Sequence, residues 1–415
     1  MRKAALILII LLITIPVFAR GKTVLDNGVK FIEIERPYTN TLSVVMFVKG
    51  GTSRENPENN GIGSLFSSVW VKSSELLKEV EFYGGSVNAS LGSDFMETSF
   101  SIPSEHFEKL IGSYEELLLN PVVDKEVFQR EKLLQKEEIK AINDNPNAKV
   151  FKQFMKATYG DHPYGLSSEG TLETVDSFEI SDLKKYADAL IQGKNITVAV
   201  AGNYTKKQLD RIKTVFGKIK AGEPFILSCG AGAVKKEERI EDTDKNIEQA
   251  KLFIGYTAPS ASEKDYAAVK VISDILGGGM SSRYFNVLRK DKGYAYSVGA
   301  AYPSKICKSR FIAHIGLQYE NVEDAIATME KINKEFINDL TDEELESVKN
   351  YMLGKILIDS QTNSKQAWYA CFFENAGLGS EFFSNYINIL KGISKDDVKK
   401  AAKIFEGAKT IYILK

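Results

Sequence analysis

One order of elements occurs twice along this chain, and that repetition limits the folds open to it more than any local motif. From Thr23 a strand (TVLD) turns at Asn27-Gly28 into a second strand, VKFIEIE, the pair Asn-Gly supplying the backbone a tight hairpin needs. A third strand over 41–51 ends on Gly50-Gly51. A helix over 60–72 follows, with Ile62, Leu65, Phe66 and Val69 on one face. Next come a short helix near 74–84, a strand pair through 86–103, and a helix over 104–120 with Ser104 placed to cap it. A long helix from about Lys125 to Asn143, more helix to Tyr159 and a strand over 195–203 complete the unit. The order then returns: a strand over 250–259, a helix over 264–278, a strand pair over 294–303 and 309–318, a helix over 320–339 and a final strand, TIYILK. The economical reading is a duplicated α+β unit of two homologous halves, 20–222 and 241–415, each a mixed sheet with helices packed on it. Residues 223–240, rich in Gly, Ala and charge, are expected to link them.

Charge excludes one class of partner. With 54 Lys+Arg against 55 Asp+Glu among 415 residues, no excess is available for a nucleic-acid backbone or an anionic membrane. The N-terminus carries Arg2 and Lys3, an apolar run over 4–13, a break at Pro16 and Val17-Phe18-Ala19, the pattern of a secretory signal peptide over 1–19. The run is short for a spanning helix, so an exported, periplasmic chain with no membrane association after cleavage is expected; an uncleaved anchor is the alternative. Cys229, Cys307 and Cys371 form neither a disulfide framework nor a zinc spacing. At least one thiol is expected to stay unpaired, and Cys307 and Cys371 read as buried core cysteines. The three histidines, His106, His162 and His314, lie far apart, which argues against a histidine-rich metal centre.

The layout of residues 22–415 is similar to one full half of the pitrilysin/insulinase family of inverted-zincin metallopeptidases, which includes the processing peptidases. The resemblance implies a clam-shell of two related halves. In that family the first long helix after the third strand carries His-x-x-Glu-His, two zinc ligands one turn apart with the base between them. The aligned segment here is Asn60-Gly61-Ile62-Gly63-Ser64-Leu65-Phe66-Ser67-Ser68. Ser64 and Ser68 stand at the histidine positions and Ser67 at the glutamate. A neutral hydroxyl is a poor zinc ligand and cannot take a proton from water, so no metal is expected in this chain. The later helix keeps Glu138 where the resemblance places a third ligand and Glu131 where it places a supporting glutamate. Without the histidines, both read better as ordinary helix charges.

The segment Ser281 to Val298 resembles the family's helix-to-strand passage. There an arginine and a tyrosine seven residues apart reach substrate near the scissile bond, and here these are Arg289 and Tyr296. A guanidinium and a phenol are donors suited to a peptide carbonyl; helix capping for Arg289 and plain packing for Tyr296 are the alternatives. Gly277-Gly278-Gly279 lacks the Gly-Lys-Ser/Thr of a phosphate loop and is shorter than the glycine-rich loop of processing-peptidase subunits. The resemblance thus implies a non-catalytic subunit of a heterodimeric zinc metallopeptidase. Its partner would be a zinc-bearing homologous subunit, and its substrate a peptide or unfolded protein. A non-enzymatic scaffold, like the respiratory-complex core subunits that share the fold, is the alternative.

Overall fold

The computed structural model describes residues 20–230, 234, 236–245 and 247–415; the expected signal segment, 1–19, lies outside them. The first half contains strands β1 (Arg20–Val24), β2 (Lys30–Glu35), β3 (Thr41–Lys49), β4 (Ser86–Leu91), β5 (Phe95–Pro103) and β6 (Ile196–Gly202). Its helices are α1 (Ile62–Lys72), α2 (Glu75–Phe82), α3 (Phe107–Leu119), α4 (Lys125–Asp144), α5 (Pro146–Tyr159), α6 (Leu172–Ser177), α7 (Ile180–Leu190) and α8 (Lys206–Gly217). The second half has strands β7 (Glu238–Asp242), β8 (Ala250–Ala258), β9 (Ala295–Ala301), β10 (Ser309–Leu317) and β11 (Lys409–Leu414). Its helices are α9 (Tyr266–Gly277), α10 (Val322–Asp339), α11 (Asp342–Asp359), α12 (Asn363–Asn375), α13 (Phe382–Gly392) and α14 (Lys395–Ala401).

The duplication holds in topology as well as in order. The first sheet runs β1-β2-β6-β3-β5-β4 and the second β7-β11-β8-β10-β9. In each, one parallel pair joins the early strand to the closing one (β2 with β6, β7 with β11), and the remaining pairs are antiparallel. β7, the counterpart of β2, starts within the span read as linker.

Each sheet is covered on both faces, which explains why β3, β6 and β10 are buried along nearly their whole length. On β3, Leu42, Val44, Met46 and Val48 face the core formed with α1, α3 and α8, while Val45 and Phe47 face the other way. That second face is closed by α12, a helix of the opposite half. Ala367, Ala370 and Cys371 let it approach closely, and the Cys371 thiol lies 3.5 Å from the carbonyl oxygen of Val45. The counterpart of α12 does the same in return. Helix α5 packs Val150 and Phe154 onto Ile312, Tyr412 and Leu414 of the second sheet. Gly255 permits this approach, since a Cβ there would sit 2.6 Å from the Phe154 ring.

The cysteine reading is corrected in one respect. Cys371 is a buried free thiol, but Cys307 is joined to Cys229 in a disulfide, with 5.2 Å between the Cα atoms. Cys229 lies on the strap that leaves the first half, and Cys307 in the β9–β10 loop, packed with Tyr159 and Tyr164. Beside it, Tyr164 donates to Asp94, whose carboxylate also accepts the Ile306 amide at 3.1 Å, and the Cys307 amide donates to the Tyr164 hydroxyl at 3.1 Å. The strap and both halves therefore meet at one buried polar junction.

Candidate functional site

Helix α1 begins at an unusual cap. Gly61 holds φ 97°, and any side chain there would strike the Glu169 carbonyl at 2.6 Å. With no side chain at the cap position, Glu55 takes over from outside the helix. Its carboxylate accepts from Asn60 Nδ2 at 2.8 Å, Gly61 N at 2.8 Å and Gly63 N at 3.0 Å. Burial pushes the Glu55 carboxyl up to about 7 despite those three donors.

One turn on, Ser64 and Ser68 are half-buried and Ser67 is 5% exposed. The Ser67 hydroxyl donates to the Ser64 carbonyl at 2.9 Å, the usual use of a serine within a helix. On α4, which packs against α1, Glu131 is 4% exposed and held by Lys72 at 2.6 Å and Arg130 at 3.1 Å. Glu131 thus serves as a helix-to-helix ion pair. Glu138 is exposed, and partial burial together with the charge of Glu169 raises its carboxyl above the usual range. Between them Gln135 donates to the carbonyls of Gly61 and Glu169, fixing α4 to the start of α1.

Zinc requires three or four nitrogen, sulfur or carboxylate donors. This constellation offers three hydroxyls, one carboxylate committed to two cations and one exposed carboxylate. Those residues do not fit the metal. Among the described residues no group of three or more His, Cys, Asp or Glu side chains could hold one. His106 lies on the surface against Tyr83, His162 is buried beside Tyr164, and His314 stacks on Phe253.

The Arg289–Tyr296 pair is assembled differently. Phe285–Asp291 forms a π-helical turn with Arg289 in its last turn, and Gly293 at φ 66° releases the chain into β9. The pairing of β9 with β10 slips between Ile315 and Leu317, so Tyr296 and Ser297 together oppose Gly316 in a bulge. Arg289 Nη1 donates to the Tyr296 carbonyl at 2.7 Å. Its guanidinium lies 4.8 Å from the Phe285 ring centre and 5.0 Å from that of Tyr296. Nε and Nη2 donate to nothing among the described residues, and the Tyr296 ring is 81% exposed on an edge strand. Two organic donors are thus presented to solvent on a pinned frame. The structure brings these two residues together, and it places Ser64, Ser67 and Ser68 beside Glu131 and Glu138 on neighbouring helices. The sequence reading missed Glu55, Lys72 and Phe285; the four-residue steps from Ser68 to Lys72 and from Phe285 to Arg289 are the signals that could have found two of them.

A duplicated mixed-sheet unit with a helix at the metal-motif position defines a class, and comparison with known proteins agrees. The insulinase (peptidase family M16) model matches residues 30–172, and the peptidase M16 inactive-domain model matches residues 177–352. This chain belongs to the M16, or pitrilysin/insulinase, family. A Bacillus subtilis relative described as the uncharacterized zinc protease YmxG is 28% identical over 359 residues, covering 82% of this chain and 85% of its own. Among solved structures, a protease from Helicobacter pylori superposes with a TM-score of 0.86 at 20% identity, covering 96% of this chain and all of the other. A peptidase M16 inactive domain from Pseudomonas fluorescens also gives 0.86, at 17% identity, covering 95% and 98%. At those identities the two structures establish the fold alone.

Proposed function

We propose that this chain is the non-catalytic subunit of a two-chain zinc metallopeptidase, exported to the periplasm, where it closes the chamber and helps hold the substrate peptide. The zinc, its ligands and the base are expected on a homologous partner subunit. The observation that carries the reading is the contrast between the two sites. The helix that would bear the metal offers only hydroxyls, and the neighbouring Glu131 of α4 is spent on two cations, whereas Arg289 and Tyr296 remain preorganised with free donors. Such donors hold a peptide carbonyl and stabilise charge that develops on its oxygen. Among the described residues no helix is long and apolar enough to cross a membrane.

The test is reconstitution. A zinc-bearing homologue encoded by the same organism is mixed with this chain, and the mixture is followed by size exclusion, metal analysis and cleavage of a peptide library. A heterodimer peak with zinc only in the homologue, and cleavage that needs both chains, is the expected result. One tightly held zinc in this chain, with chelator-sensitive cleavage by it alone, overturns the reading. A heterodimer that cleaves nothing makes the chain a scaffold.

A further inference from the structure

Helix α5 carries Lys149, Lys152 and Lys156 at i, i+3 and i+7, with no acidic residue anywhere along it. Its other face, through Val150 and Phe154, packs on the second sheet, so the three ammonium groups share the outward side. Like charges at these spacings weaken a helix unless an anion lies among them. The lysine face is one wall of a cavity of about 780 Å³; the segment from Glu55 to Asn60 and the 160–171 loop supply the others.

The acids of the cavity leave the lysines unanswered. Lys149 is engaged by Asp244 at 2.6 Å, but Lys152 and Lys156 form no ion pair among the described residues. Glu173 shares the field of Lys152 without pairing with it. Glu55 has turned its oxygens to the start of α1, and Asp161 is exposed. One further polar atom in the lining, Gln153 Oε1, has no partner. His162 is 3% exposed; its Nδ1 accepts the Tyr164 amide at 3.2 Å, and its ring also engages the Ser228 backbone.

We propose that this cavity binds a carboxylate-bearing segment of peptide, a second contact for substrate apart from Arg289 and Tyr296. Lys152 and Lys156, one helical turn apart, stand about 6 Å from each other at Cβ, a separation that suits two acidic side chains better than one compact anion. The volume lies in the range of ligand pockets, about 300–1,000 Å³, and the amides of Asn143 and Gln153 match a peptide backbone. The peptide class rests on the reading of the chain as a peptide-handling subunit, but the site's residues are separate from that reading's Arg289 and Tyr296.

The experiment needs only the full chain. Fluorescein-labelled decapeptides, one Glu-rich, one neutral and one Lys-rich, are titrated by anisotropy against the native protein, Lys152→Glu/Lys156→Glu, the milder Lys152→Gln/Lys156→Gln and, as a charge control, the exposed pair Lys399→Gln/Lys403→Gln. The Glu-rich peptide is expected to bind at least tenfold more tightly than the others and to weaken with salt. Charge reversal should cut its affinity tenfold or more, neutralisation severalfold, and the control pair should leave it unchanged. Equal affinity for Glu-rich and Lys-rich peptides overturns the proposal. So does native affinity in both lysine variants, an equal loss in the control pair, or displacement of the peptide by an equal concentration of inorganic phosphate. Because this titration uses the chain alone and the reconstitution needs the partner, failure here and failure of the subunit reading are read independently.

Discussion

Opening the Cys229–Cys307 bond should lower stability by a calculable amount. The bond closes a loop of 78 residues, from the strap to the β9–β10 turn. In the chain-entropy treatment a loop of that length is worth about 4–5 kcal/mol at 25 °C, and measured native disulfides scatter around 2–5 kcal/mol. Unfolding entropy of about 2.1 cal/mol/K per residue makes the corresponding drop in Tm about 2–6 °C for a chain of this size. Cys229 is exposed and Cys307 buried in an apolar cluster, so Cys229→Ser with Cys307→Ala avoids placing a hydroxyl among Tyr159 and Tyr164. Calorimetry of the oxidised protein, the reduced protein and the double variant is the assay. The oxidised protein should melt highest, the reduced protein should match the variant, and reductant should leave the variant unmoved. A variant that melts with the oxidised native protein would refute the argument, because the loop would then be no freer in the unfolded chain without the bond.

In a heterodimer, Tyr296→Phe is expected to reduce kcat/KM by roughly a hundred- to a thousandfold if its hydroxyl acts in the transition state; a small rise in KM alone would make it a ground-state anchor. Glu55 gives a pH dependence. Its folded value of about 7 lies above that of an unfolded glutamate, so its contribution is fully present below about pH 4 and is lost as pH rises through 7, at most about 3 kcal/mol. Chemical denaturation from pH 4.5 to 8 should show that slope, and Glu55→Gln should flatten it even if the lost cap lowers stability throughout. Gly255→Ala drives a methyl into the Phe154 ring and is expected to cost about 1–3 kcal/mol, with partial recovery in Gly255→Ala/Phe154→Leu by thermal melt.

The repeated order of elements was legible because period and punctuation survive in a single sequence: the stripe of α1 and the Asn27-Gly28 turn. Arg289 and Tyr296 were reached through the family resemblance, and their contact comes from the π-helical turn and the release of the chain at Gly293 into β9. What was not legible depended on distant partners. Three cysteines at long spacing cannot announce which two will meet, and only the fold brings Cys229 to Cys307. The start of β7 reads as linker because Glu238 and Arg239 are charged; its pairing comes from β11, at the far end of the chain. Glu55 gives no local hint of its role, as a glutamate six residues before a helix cap usually faces water. The fate of Glu131 was set by Lys72, a residue on another helix.

The exchange of α5 and α12 bears on how such a chain could have arisen. Each sheet is closed by a helix from the other half, so a single unit, as it would have stood before duplication, leaves one sheet face bare. The self-consistent ancestor is a symmetric dimer in which two identical copies lent each other that helix. Joining the copies end to end made the loan permanent and freed the two halves to diverge. Serines could then stand at the metal-motif positions without cost to the fold, because helix α1 is held by its apolar face, by the Glu55 cap and by Glu131 and Gln135 of α4.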